Sequence, residues 1–238
     1  RCCCGVRSHA STLPFGSMTE TTPLITHPTL VTDDGIELAA DLATPQESRG
    51  LAVLAHPHPN FGGGRQVHMI EAWFRALPIA GLITIRFDFR GGGGSGGTHT
   101  GGELEHLDVS AAIAALPHHG DLPLLAAGWS FGAEILLAHR APEIDAWMAV
   151  APPASQRPAG TPAGTDQRPT LILAPEHDQF APPDVARAAV DGWIATEVEA
   201  IPGTDHSLMG ATDRIVARTV QAVDELTSHP MASDPGAD

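Results

Sequence analysis

Short apolar runs at 51–55, 83–87, 124–127, 146–151, 170–174 and 196–201 recur along this chain, separated by helix-length segments. A strand with one wet face alternates apolar and polar side chains, so a run that stays apolar must be covered on both faces. That requirement points to an α/β fold: a doubly wound, mostly parallel sheet with helices on either side. The intervening segments supply the helices. Residues 69–79 place Ile70, Trp73, Phe74 and Leu77 at three- and four-residue spacings. Residues 103–116 do the same with Leu104, Leu107, Ala111 and Ile113 or Ala114. Segments 184–194 and 213–226 each open on an Asp suited to a helix N-cap. Ahead of this alternation, 30–32 and 36–42 flank Asp33-Asp34-Gly35, which reads as an antiparallel hairpin.

At 238 residues the chain suits one well-buried core, placed at 18–227 with no internal repeat. Residues 1–17 are set aside as a non-native or disordered leader ahead of Met18, and 228–238, rich in Pro, Ser and Asp, as a disordered tail. The proline-rich stretch 152–169 lacks a helical apolar pattern, so no lid domain is expected and the site should be open.

Directly after 124–127 stands Gly128-Trp129-Ser130-Phe131-Gly132, and a helix-like run begins at Ala133. A strand, a tight turn and a helix are the setting in which a serine is lifted above a sheet edge as a nucleophile. Glycine on either side answers a steric demand, because strand and helix pass too close for a Cβ. The pattern occurs twice. Gly93-Gly94-Ser95-Gly96-Gly97 also matches, but inside a glycine tract with no helix following, so Ser95 reads as a loop serine.

A serine hydroxyl needs a base to take its proton and a third group to orient that base. The loop after 170–174 supplies Asp178 as the acid, with Glu176 its rival in the same loop and Asp166, ahead of that strand, a weaker one. The loop after 196–201 supplies His206 as the base. The oxyanion needs two preorganised N–H donors. Phe131, at a helix N-terminus, is one. The other should come from His56-Pro57-His58-Pro59-Asn60-Phe61-Gly62-Gly63, where both prolines lack an N–H; His58 is preferred and Asn60 comes next. Asn60, Phe61 and Trp129 are expected to shape the substrate pocket, each open to the alternative of ordinary packing.

Two other chemistries compete. His56 and His58 could begin a metal site completed by His206, Asp205 or His177, but a metal needs three or four convergent ligands. Gly91-Gly92-Gly93-Gly94-Ser95-Gly96 matches a dinucleotide fingerprint, yet that motif requires a helix opening within it. Formal net charge is −15, from 13 Lys and Arg against 28 Asp and Glu, which disfavours nucleic acid and anionic lipid as partners. No apolar run approaches membrane-spanning length. The three cysteines, Cys2, Cys3 and Cys4, are adjacent and cannot build a disulfide framework, so a reducing, cytoplasmic setting is expected.

His56-Pro57-His58-Pro59 with Gly62-Gly63, Arg86-Phe87-Asp88-Phe89-Arg90-Gly91 with Ser95-Gly96, and Gly128 to Gly132 together resemble small, lidless, dienelactone-hydrolase-like members of the α/β-hydrolase superfamily. The resemblance covers about residues 25–227. It implies a triad of Ser130, Asp178 and His206, no metal or organic cofactor, and a bracing role for the stretch from Arg86 to Gly91. Two departures stand out: Pro175 replaces the usual glycine before the acid, and the glycine run 91–94 is longer than is typical. The expected activity is hydrolysis of carboxylic or thiol esters on small to medium substrates through an acyl-enzyme. A catalytically inactive binding protein on the same fold and an acyl transferase with the same triad are the alternatives.

Overall fold

The computed structural model describes residues 22–117, 122–153 and 161–228. Three antiparallel strands come first: β1 (Leu24–Thr26), β2 (Thr29–Val31) and β3 (Glu37–Thr44). β1 and β2 both pair with β3, Ile25 opposite Ala43 and Leu30 opposite Leu38. The expected hairpin is present, with Gly35 at φ 83 closing its turn. The short strand β1 is additional.

The alternating part runs β4 (Gly50–Ala55), α1 (His68–Ile79), β5 (Leu82–Phe87), α2 (Glu105–Ala114), β6 (Leu124–Trp129), α3 (Phe131–Ala138), β7 (Ile144–Val150), β8 (Thr170–Pro175), α4 (Pro183–Ala189), β9 (Thr196–Ile201) and α5 (Thr212–Ser228). These strands join in a nine-stranded sheet of order β1-β3-β5-β4-β6-β7-β8-β9, with β2 on β3. Strands β4 to β9 are mutually parallel. Every residue of β4, β5, β6 and β8 is buried, as two-sided cover demands. β9 departs from the apolar pattern: it is the sheet edge, half-buried, and carries Glu197 and Glu199.

The cover comes in two clusters. On one face Met69, Ile70, Trp73, Phe74 and Leu77 of α1 pack with Leu54, Leu125, Ile215 and Val223. The buried Trp73 Nε1–H donates to Thr219 Oγ1 at 2.9 Å and ties α1 to α5. On the other face Val109, Ala112, Ile135, Leu136 and Leu137 of α2 and α3 pack with Val53, Ile85, Phe87 and Trp147.

Two helix starts differ from expectation. α4 is capped by Pro182 and covers only part of 184–194, while Asp184 and Asp213 sit inside first turns rather than at the cap. There each carboxylate still meets the positive end of the helix dipole. Within 152–169 the described residues contribute one short 3₁₀ turn, Pro162–Thr165, and no lid. The leader 1–17, and the tail beyond Ser228, lie outside the described residues.

Candidate active site

Parallel strands bring their carboxyl ends to one rim of the sheet, and the loops after β4, β6, β8 and β9 meet there. Ser130 links β6 to α3 at φ 54, ψ −119, a region that costs a non-glycine residue about 1–3 kcal/mol. Its N–H donates to Val150 O at 2.8 Å, fixing the turn to the end of β7. The flanking glycines are sterically required. A Cβ on Gly128 would lie 2.7 Å from Ala133 N, and one on Gly132 would overlap the backbone carbonyl of Ala55.

Three side chains distant in sequence are joined. Ser130 Oγ lies 2.8 Å from His206 Nε2, and His206 Nδ1 lies 2.8 Å from Asp178 Oδ2. Asp178 is fully buried, and its Oδ1 accepts from the N–H groups of Phe180 at 2.7 Å and Ala181 at 3.3 Å. Burial alone would raise this carboxyl; the bond from His206 and those amides outweigh it and hold it below the ordinary carboxylate value. An ionised carboxylate only accepts, so Nδ1 carries the imidazole proton and Nε2 is free to accept from Ser130. Pro175, in the place of a glycine, ends β8 and its carbonyl accepts from Asp178 N–H at 3.2 Å, closing the acid's turn.

The rival acids are occupied elsewhere. Glu176 accepts from Gly203 N–H at 2.7 Å, and Asp166 pairs with Arg168. Trp129 sits 7 % exposed in the α1 and α5 cluster, where its Nε1–H donates to the carbonyl of His206 at 3.2 Å. It therefore anchors the histidine loop rather than opening onto solvent.

The loop after β4 sorts its own amides. Those of Phe61 and Gly63 donate to His58 O, that of Gly62 to Pro59 O, and that of Asn60 to His58 Nδ1 at 3.2 Å. Asn60 is thereby removed as an oxyanion donor. Among the described residues the N–H groups of His58 and Phe131 have no hydrogen-bond partner. The side chains of His58 and Phe131 pack together, with ring centroids 5.1 Å apart. Phe61 is 87 % exposed beside His58.

Both ring nitrogens of His56 are engaged. Nε2 accepts from Phe89 N–H at 2.9 Å, and Nδ1 lies 2.6 Å from Pro57 O, so Nδ1 carries the proton and donates. That leaves no lone pair for a cation. His177 points outward and Asp205 is bonded to Ser207. Among the described residues no three His, Cys, Asp or Glu side chains form a metal-holding group.

Comparison with known proteins follows this geometry. No family profile matches the chain. An uncharacterised protein of Rickettsia prowazekii is 35% identical over 107 residues, 43% of this chain and 45% of that protein, so the match spans less than half of the relative's length. A solved structure from Agrobacterium tumefaciens, of unknown function and described as an α/β hydrolase, superposes with TM-score 0.74 at 25% identity over 88% of this chain and 100% of that one. An α/β serine hydrolase homologue from Coxiella burnetii superposes with TM-score 0.71 at 25% identity over 83% of this chain and 97% of its own. The chain has the α/β-hydrolase fold.

In this α/β-hydrolase fold the stretch from Arg86 to Gly91 is a buried ionic brace. Asp88 accepts from Arg65 N–H at 2.7 Å, from Gly94 N–H at 2.9 Å and from the Arg65 guanidinium. Arg86 pairs with Asp41 and Glu71, and Arg90 with Asp108 and Asp34. The long glycine run has a cause here, since a Cβ on Gly93 would overlap the Asp88 carboxylate. Ser95 serves the same brace: its hydroxyl donates to Asp88 O at 2.6 Å and accepts from Ala39 N–H at 3.0 Å. No helix opens within 91–96; α2 starts at Glu105, so the dinucleotide pattern lacks its helix.

Two neighbours of the site lie outside the expectations drawn from the sequence. Phe180, two residues past Asp178 and 55 % exposed, sets its ring edge-to-face on His206 at 4.7 Å. His99 touches both His58 and Phe131. A large aromatic in the acid's loop could have drawn attention to Phe180; His99 is one of 13 histidines with no local pattern. Among the described residues no helix is long and apolar enough to cross a membrane.

Proposed function

We propose that the protein is a serine hydrolase that cleaves carboxylic or thiol esters of small to medium substrates through an acyl-enzyme. The observation that carries this reading is the unbroken chain from Ser130 Oγ through His206 to Asp178, 2.8 Å at each link, on a turn strained at φ 54. In the first step Ser130 Oγ attacks the acyl carbon while its proton passes to His206 Nε2, and Asp178 stabilises the resulting imidazolium. The carbonyl oxygen takes the negative charge between the N–H groups of His58 and Phe131, the latter aided by the α3 dipole. Collapse breaks the ester bond, and the departing alcohol or thiol takes the proton from His206. Water then repeats the sequence against the acyl-serine, releasing the acid and restoring the hydroxyl.

The serine hydrolase neighbours support the reaction class. The exposed rings of Phe61 and Phe180 offer apolar walls to the substrate, and its reach into solvent favours water over a second bound acceptor. No nucleic acid, membrane or cofactor takes part in this scheme. A fluorophosphonate probe should label Ser130. Ser130→Ala should lose both labelling and at least about 10³-fold of p-nitrophenyl acetate turnover. Labelling that persists in the alanine variant, or folded wild-type protein with neither property, would defeat the proposal.

A further inference from the structure

The ring of His58 has no role in the scheme above, where only its backbone N–H acts, yet it is held from several sides. It stacks among Phe61, His99 and Phe131, at centroid distances of 4.9, 4.4 and 5.1 Å. Both of its nitrogens are used. Nδ1 accepts from Asn60 N–H at 3.2 Å, and Nε2 lies 3.1 Å from His99 Nε2. Two imidazole nitrogens at that distance need one proton between them. With His58 Nδ1 accepting, the proton sits on His58 Nε2, and His99 Nε2 must accept. His99 then carries its own proton on Nδ1.

That nitrogen faces a carboxylate. His99 Nδ1 is 2.8 Å from Glu105 Oε1, a close charge–dipole approach at an angle outside hydrogen-bond geometry. Glu105 is fully buried and fixed by Thr100 N–H at 2.7 Å, Thr100 Oγ1 at 2.6 Å and Gly102 N–H at 2.8 Å. Burial on its own would raise this carboxyl, but those bonds hold it below the ordinary value, so it stands as an anion at neutral pH. The glycine tract presses the same segment inward, since a Cβ on Gly91 would overlap His99 N. The result is a second carboxylate-imidazole chain, beginning on α2 and ending on the loop that holds the His58 N–H.

We propose that Glu105 and His99 are positioning residues that set the His58 ring, and through it aim the His58 backbone N–H at the developing oxyanion. The inference rests on the hydrolase reading. A ring held at both nitrogens fixes the χ1 and χ2 torsions that join it to its Cα and so limits how the attached peptide can tilt, and oxyanion donors act only when preorganised to within fractions of an ångström. The chain transfers no proton in the reaction; it fixes direction.

The test compares His99→Phe, which keeps an aromatic ring but no acceptor, with His99→Gln, whose amide oxygen can accept from His58 Nε2–H. Phenylalanine at 99 should lower kcat for p-nitrophenyl acetate about 10- to 100-fold with KM within twofold, and glutamine should recover most of that loss. Equal losses in both variants, or kcat within threefold of wild type for the phenylalanine variant, would overturn the proposal. Should either variant fail to fold, ¹⁵N–¹H spectra of the wild type decide. They must show His58 protonated on Nε2 and His99 on Nδ1, and the reverse assignment overturns the inference. Fluorophosphonate labelling of wild-type Ser130 separates the two levels. Its absence defeats the hydrolase reading and this inference with it, whereas normal labelling beside unchanged His99→Phe kinetics defeats the inference alone.

Discussion

Residues 93–97 and 128–132 spell the same five-residue pattern, glycine at both ends and serine in the middle, and the fold puts them to opposite uses. At 130 the serine backbone is strained, the hydroxyl meets an imidazole, and the glycines exist because strand and helix touch. At 95 the hydroxyl is consumed by two backbone groups, and the first glycine, Gly93, is required because the chain wraps a buried carboxylate there. A hydroxyl whose hydrogen-bonding capacity is spent on the backbone is unavailable for chemistry, whatever the residues around it spell. The lesson is that such a pattern gains meaning from what closes in on its glycines.

That contrast can be broken most forcefully at the terminal glycines. Gly132→Ala drives a Cβ into the backbone of Ala55 and His56, which cannot retreat, and should cost about 3 kcal/mol or more along with activity. Gly97→Ala meets only the Ile36 side chain and a φ of 73, and should cost about 1–2 kcal/mol. Urea unfolding of both variants checks the ranking, and equal losses would erase the distinction.

His56 ties the two motifs together, since its carbonyl abuts Gly132 while its ring accepts from Phe89 at the head of the glycine tract. Burial holds this imidazole near pKa 4, against 6.5 when unfolded. Between those values the unfolded chain binds a proton that the folded one refuses, so stability falls as pH drops from 6.5 towards 4. The loss should be about 3 kcal/mol, with His58 and His139, also lowered by burial, adding in the same direction. Unfolding free energies that stay flat across that window would contradict a neutral His56.

The smallest effect belongs to Ser95. Ser95→Ala forfeits two backbone bonds and should destabilise by about 1 kcal/mol while kcat stays within about threefold. A large loss of turnover there would place Ser95 in the chemistry after all.

Much of the fold was legible because burial leaves a pattern. Two-sided strands such as β4 and β5 must be apolar throughout, and the stripe Ile70, Trp73, Phe74 and Leu77 marks the buried face of α1. β1 left no trace, because three exposed residues between prolines carry no periodicity. The start of α4 was misread because Pro182-Pro183, a proline start signal, outweighs Asp184. At the site, Ser130, Asp178 and His206 could be named because each follows a recognisable strand. The roles of Asn60, Trp129 and His99 could not, since they depend on which hydrogen bonds are already taken: a local one to the His58 ring for Asn60, and bonds spanning 77 and 41 residues for Trp129 and His99.

The indole of Trp129 reaches across to the carbonyl of His206, so the residue beside Ser130 grips the backbone of the imidazole that Ser130 meets. Under the proposed function, hydroxyl and imidazole are thereby mounted on a single bracket and assembled before any ester arrives. Such a protein would wait on no closing motion, and its progress curves should show no lag.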